Sequence, residues 1–169
     1  MPPYIVENPA WKTIVKDKHL LFDTDAVISI LSFDAVALLN DLKKQGCTFT
    51  YIHPVYLELM RTNSPKEKLQ RTRLLNDYGF SMLPLTVNEV DKAKQVQDSM
   101  PVNVAPSPTD LYLAGTLARF SSHEGMLLLT SNLSDFPHPL FTRKIYLQLQ
   151  NTRNVKVVSF LKFEPEESN

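Results

Sequence analysis

Short, mostly apolar runs separated by segments of helical periodicity constrain this chain more than any other feature. His19-Leu20-Leu21-Phe22, Thr48-Phe49-Thr50-Tyr51-Ile52 and Met126-Leu127-Leu128-Leu129 are runs of this kind. A strand with one wet face alternates polar and apolar residues, whereas a continuous apolar run suits a strand covered on both faces. Residues 81–85 and 155–161 read as two further strands. Between them, residues 26–31 and 35–43 read as helices, closed by Gly46. Pro54 opens another, with Val55, Leu59 and Thr62 on one side. Residues 66–78 form a charged amphipathic helix followed by Gly79, and residues 87–100 form a further helix. Leu111, Ala114, Leu117 and Ala118 share one helical face. Strands alternating with helices predict an α/β fold of three layers, α/β/α, around a mostly parallel sheet of about five strands.

A chain of 169 residues with a hydrophobic share of 43% fits one domain with a filled core. Residues 1–18 read as an extension lying over the surface and pinned by Trp11. Residues 19–161 read as the domain, and residues 162–169 as an acidic tail. Cys47 is the single cysteine, which excludes an intrachain disulfide and fits a reducing compartment. Its simplest role is that of a small buried hydrophobe. Residues 1–18 lack the shape of a signal peptide, and no apolar run is long enough to span a bilayer. A soluble cytoplasmic protein without a membrane partner is therefore expected. Lys plus Arg equals Asp plus Glu, 18 against 18, so a uniformly basic coat for nucleic acid is excluded. Any such contact needs a local patch, such as Lys66, Lys68, Arg71 and Arg73, or a bound cation.

In parallel sheets ligands bind beyond the carboxyl ends of the strands. Acids recur at those places. Asp23 and Asp25 follow the first run, Glu58 lies in the first turns of the helix after the second, and Asp135 follows the fourth strand. Asp110 opens the helix leading into that fourth strand. Each acid has a structural alternative. Asp25 suits a helix N-cap, and Glu58 suits a solvated helix face. Ser107-Pro108-Thr109-Asp110 suits a capping box, and Asp135 suits a turn before Phe136-Pro137. Asp23 is harder to explain so, because a carboxylate ending a buried strand is costly to desolvate. Two carboxylates about 5 Å apart repel by roughly 3 kcal/mol at an effective dielectric near 20. A cluster therefore calls for a cation, and an all-oxygen set points to Mg²⁺ or Mn²⁺.

Asp23-Thr24-Asp25 after an apolar strand resembles the opening motif of PIN domains. Glu58-Leu59, Asp110-Leu111-Tyr112-Leu113-Ala114 and Thr130-Ser131-Asn132-Leu133-Ser134-Asp135-Phe136 resemble the motifs that follow it, in the same order. The resemblance spans residues 19–161. It implies a metal-dependent endoribonuclease that hydrolyses RNA phosphodiester bonds. Asp23, Glu58, Asp110 and Asp135 would then be metal ligands and catalytic residues, with Thr24, Thr130 and Asn132 supporting them. Some relatives place the last acid where Asn132 stands, so the roles of Asn132 and Asp135 stay open. Many bacterial members are VapC-type toxins paired with an antitoxin protein and are often homodimers.

Two other readings compete. One is a PIN-like module that binds RNA or protein without cutting it. The other is a haloacid-dehalogenase-type phosphatase, since Asp23-Thr24-Asp25-Ala26-Val27 fits D-x-D-x-V. That reading needs a lysine, for which Lys144 would serve, and a later acidic pair that only the tail offers. The four histidines, His19, His53, His123 and His138, show no zinc-ligand spacing. No G-x-S-x-G elbow surrounds Ser131, and no glycine-rich loop suits a nucleotide.

Overall fold

The computed structural model describes residues 3–120 and 125–165. Its elements run β1 (Tyr4–Ile5), α1 (Trp11–Val15), β2 (His19–Phe22), α2 (Thr24–Ser32), α3 (Val36–Lys44), β3 (Thr48–Ile52) and α4 (His53–Met60). They continue α5 (Pro65–Asp77), β4 (Ser81–Leu83), α6 (Val87–Ser99), α7 (Pro108–Phe120), β5 (Leu127–Thr130), β6 (Phe141–Gln150) and β7 (Val155–Phe163).

The fold is α/β, but the sheet is larger and more mixed than the sequence predicts. It has seven strands in the order β1-β6-β7-β5-β2-β3-β4. The block β5-β2-β3-β4 is parallel, while β7 pairs antiparallel with both β5 and β6, and β1 with β6. The expectation of five mostly parallel strands is corrected by β1 and β6. Strand β1 is too short to leave a pattern. In β6, Ile145, Leu147 and Leu149 are buried in alternation, but a bulge between Arg143 and Ile145 breaks the register, and Arg143 is exposed. Arg143 stands where strict alternation would place a core side chain.

Every residue of β5 and the last three of β2 are buried, so both faces of the sheet's centre are covered. Phe22, Phe49 and Phe80 form an aromatic cluster with ring centroids 4.8–5.2 Å apart. Helix α5 starts where Ser64 Oγ accepts from the Glu67 N–H and Pro65 takes the first position. Helix α6 starts on a capping box in which the Thr86 N–H donates to Glu89 Oε2 at 2.9 Å. Glu89 is buried, and Arg119 on α7 pairs with it. Gly115 lets α7 approach α6 closely: a Cβ there would lie 2.6 Å from both Glu89 O and Ala93 N.

The amino-terminal segment is built into the fold. Tyr4 and Ile5 pair with Leu149 and Gln148, Trp11 is buried, and Val15 is fully buried. Cys47 is buried and its thiol donates to Val15 O at 3.1 Å. Strand β7 runs two residues past position 161, to Phe163. Residues 166–169 of the expected acidic tail, and His123, lie outside the described residues. Among the described residues no helix is long and apolar enough to cross a membrane.

Candidate active site

Strand β2 sits between β3 and β5, and the chain builds the sheet outward on one side of β2 before returning to the other. The crevice beyond the carboxyl ends of β2 and β5 is therefore a topological switch point, the usual ligand position in open parallel sheets. Asp23 stands at its mouth, where its N–H donates to Leu129 O at 3.0 Å and continues the ladder.

Asp23 is 5% exposed. Thr130, the last residue of β5, donates through Oγ1 to Asp23 Oδ2 at 2.7 Å, and the Asn132 N–H donates back to Thr130 Oγ1 at 3.0 Å. Burial pushes the Asp23 carboxyl up to about 7. The Thr130 hydroxyl works against this rise, as does the Thr24 backbone N–H, while the charges of Asp110 and Asp25 add to it. Asp23 occupies the N-cap position of α2, and Asp25, the candidate cap, is an exposed residue of the first turn.

Asp110 is buried at the start of α7. It forms the expected capping box with Ser107, whose Oγ donates to Asp110 Oδ2 at 2.5 Å and accepts from the Asp110 N–H at 3.2 Å. The cap does not remove Asp110 from the site. Its carboxyl is raised, first by burial and then by the charge of Asp135 and a hydrogen bond with it, against the Ser107 hydroxyl. Asp135 is half-buried, and Asn132 Nδ2 donates to its Oδ2. Ser134 Oγ donates to Asn132 Oδ1 at 2.6 Å and so orients that amide.

Glu58 lies in the last turn of α4, later than the sequence suggests. Thr24 Oγ1 donates to its Oε2 at 2.6 Å and Thr109 Oγ1 to its Oε1 at 2.5 Å. Since Thr24 follows Asp23 and Thr109 precedes Asp110, Glu58 links the two segments that carry those acids. The structure thus connects Asp23, Glu58, Asp110 and Asp135 with Thr24, Thr130 and Asn132 at one sheet edge. Sequence reasoning reads Thr109 and Ser107 only as helix-start residues of a capping box, and misses the bond from Thr109 to Glu58. A threonine next to a candidate acid is the signal that would have found it.

The donor set suits a hard divalent cation in kind: four carboxylates, two of them buried and raised, first by burial and then by a neighbouring acid's charge. Ser131 Oγ, in the same loop as Asn132, is buried without a hydrogen-bond partner among the described residues. Among the described residues, however, no three His, Cys, Asp or Glu side chains are gathered as a ready metal group. Hydroxyls and amides, rather than a common centre, arrange the carboxylates. A cleft of about 460 Å³ lies elsewhere, between α2–α3 and α5, and contains none of these acids.

The fold and site define an α/β protein with hydrogen-bonded acids from separate segments near the carboxyl ends of the central parallel strands of a mixed sheet. In comparisons with known proteins, no family model, no curated protein and no solved structure matches the chain.

Proposed function

We propose that the chain is a metal-dependent endoribonuclease of PIN type, with Mg²⁺ or Mn²⁺ held among Asp23, Glu58, Asp110 and Asp135. The observation that supports this most is the hydroxyl network joining acids from four separate segments at one sheet edge. Carboxylates gathered in partly desolvated surroundings repel one another, and a cation relieves that repulsion. When bound, such an ion lowers the pKa of a water and stabilises charge on a phosphate. The chain's own residues fix the geometry. Thr130 holds Asp23, Asn132 holds Asp135, and Ser107 holds Asp110, each through a hydrogen bond to the carboxylate.

The basic helix contributes less to RNA binding than its composition suggests. Arg71 is occupied, donating to Leu59 O at 2.6 Å and pairing with Glu67 at 3.0 Å. Lys66, Lys68 and Arg73 remain exposed for a phosphate backbone, and Arg61 ends α4 beyond Glu58. A toxin role, an antitoxin partner, a homodimer and a cytoplasmic location belong to the same proposal and are carried by the motif resemblance and the composition. The phosphatase reading gains nothing, because Lys144 lies on β6, two strands from β5, and pairs with Glu164 at 2.5 Å.

The separation of the carboxylates favours one second reading, a PIN-like module that binds RNA or protein without cutting. Incubation with structured and unstructured RNA in Mg²⁺, Mn²⁺ or EDTA separates the two. Internal cleavage that EDTA abolishes is expected; RNA retention without cleavage in either metal would leave the binding module.

A further inference from the structure

The antiparallel half of the sheet leaves one face open on the side of Asp23. Register partners share a face of a sheet, and alternate residues of a strand return to it. Thr130, the last residue of β5, pairs with Ser159 on β7, and Ser159 pairs with Tyr146 on β6. Gln148 pairs with Val157 on one side and with Ile5 of β1 on the other. These residues therefore share the face on which Thr130 donates to Asp23. Strand β7 runs antiparallel to β5, so Val157 and Val155 project past the carboxyl end of β5, where the crevice opens. The opposite face of β6 and β7 buries Ile145, Leu147, Leu149 and Val158. On the open face Ile5 and Val157 are 40% exposed and Val155 is 60% exposed.

The charge of this region is one-sided. In a chain of balanced charge, residues 141–163 contain Arg143, Lys144, Arg153, Lys156 and Lys162 but no acid. Glu164 pairs with Lys144 and Lys162. Arg143 and Arg153 are exposed and enter no ion pair among the described residues. The Arg143 guanidinium lies 5.0 Å from the centre of the Tyr146 ring. Glu7 adds one negative charge, but its carboxylate is engaged: it accepts from the Tyr146 hydroxyl and, at 3.2 Å, from the Gln148 amide, and so fixes both side chains. The core of a protein–protein contact is depleted of charge, which suits this face poorly. Unpaired nucleic acid suits it better, since bases stack on aromatic rings and guanidinium planes while phosphates take up cations. We propose that the β1-β6-β7 face is a track for unpaired RNA, holding the strand on one side of the bond to be cut. Tyr146 and Arg143 stack against bases, and Arg153, in the turn between β6 and β7, meets the phosphates. The inference rests on the RNA reading above and deepens it, because it gives the substrate a surface outside the acid motifs.

The track is tested without metal and without cleavage. Binding of a fluorescein-labelled, unstructured oligoribonucleotide to the full chain is followed by anisotropy in EDTA at fixed ionic strength, with a thermal melt for each variant. Tyr146→Ala is expected to weaken binding about fivefold or more, the loss of one stacked base, and Tyr146→Phe to retain most of the affinity. Arg143→Gln and Val157→Glu change exposed positions, so they are expected to weaken binding while melting as the parent does. These two carry the test should Tyr146→Ala fail to fold. An abasic strand of equal length keeps the phosphates and is expected to bind more weakly than the RNA; equal binding overturns the stacking role. RNA binding by Arg143→Gln and Val157→Glu equal to the parent's overturns the track, and cleavage by them in Mg²⁺ then leaves the ribonuclease reading intact. A parent that binds no RNA in EDTA also overturns the track, whereas the ribonuclease reading still stands or falls on cleavage in Mg²⁺. If the face instead covers a second copy of the chain, light scattering shows a dimer that Val157→Glu splits with RNA affinity unchanged, and the track is again overturned.

Discussion

At the scale of single residues, Asp23 carries the clearest consequence. Its carboxyl is held at about 7 in the fold, against 3.8 for an ordinary aspartate, chiefly by burial. The folded state therefore binds this proton more tightly than the unfolded chain does. Stability is greatest where Asp23 is protonated in both states, and it declines as pH rises from about 4 through about 7. A gap of about three pKa units corresponds to about 4 kcal/mol, and the Asp110 shift acts in the same direction. Glu164, held near 2 by Lys144 and Lys162, works oppositely, but only as pH falls below its ordinary 4.5. Metal-free protein is thus expected to melt higher at pH 5 than at pH 8. Asp23→Asn keeps an acceptor for Thr130 and should remove most of that difference; equal slopes in parent and variant melts would refute this. A second expectation separates the two polar residues of the last motif. Asp135 carries charge toward Asp110, whereas Asn132 donates to Asp135 and holds its loop. Asp135→Asn should therefore cost more RNA cleavage than Asn132→Ala and shift the Mg²⁺ requirement upward. Cleavage rates across a Mg²⁺ series would show the ordering.

At the scale of elements, α6 and α7 approach closely at Gly115. Any side chain at Gly115 meets α6 backbone, which cannot swing aside as a flexible side chain would. Gly115→Ala should destabilise by about 1–3 kcal/mol, the usual cost of overpacking. It should also lower cleavage beyond the loss of folded protein, because α7 carries Asp110. Denaturant midpoints measured beside specific activity would separate the two effects. Across the same contact, Arg119→Ala removes a half-exposed cation from buried Glu89, at a cost of about 1–3 kcal/mol. These elements differ in how far the sequence betrays them. Strands β2 and β5 are legible because burial on both faces demands nearly unbroken apolar runs, and β3 because Phe49, Tyr51 and Ile52 mark it despite two threonines. Helix α7 is legible from the spacing of Leu111, Ala114, Leu117 and Ala118 after a capping box at Ser107 and Asp110, although its buried face centres on Leu113, Ala114 and Leu117, with Leu111 and Ala118 only half-buried. Strand β6 hides behind its bulge, and α1 is a single short turn whose burial of Trp11 and Val15 depends on distant partners. The acids show in the motifs, but the use of both Glu58 oxygens depends on α4, α2 and α7 meeting in space. No local pattern encodes that.

At the scale of the whole molecule, β7 joins two halves. It pairs with β5 of the parallel block on one side and with β6 of the antiparallel block on the other. Ser159→Pro removes a ladder donor from this central strand, where Ser159 pairs with both Thr130 and Tyr146, and should cost about 3 kcal/mol or more. Both blocks should then lose protection together in hydrogen exchange; survival of the parallel block alone would show that the halves fold independently. The position of β7 also bears on synthesis. A chain made from its amino terminus exposes β5 as an open edge until residues 155–163 emerge, although Asp23, Glu58 and Asp110 have all been made by then. Strand β1 waits similarly, since Tyr4 pairs with Leu149. If the acidic site cuts RNA, a nascent chain still held beside its own message carries the acids on an unfinished sheet. Translation itself then acts as a timer, withholding activity until the last strand is laid in.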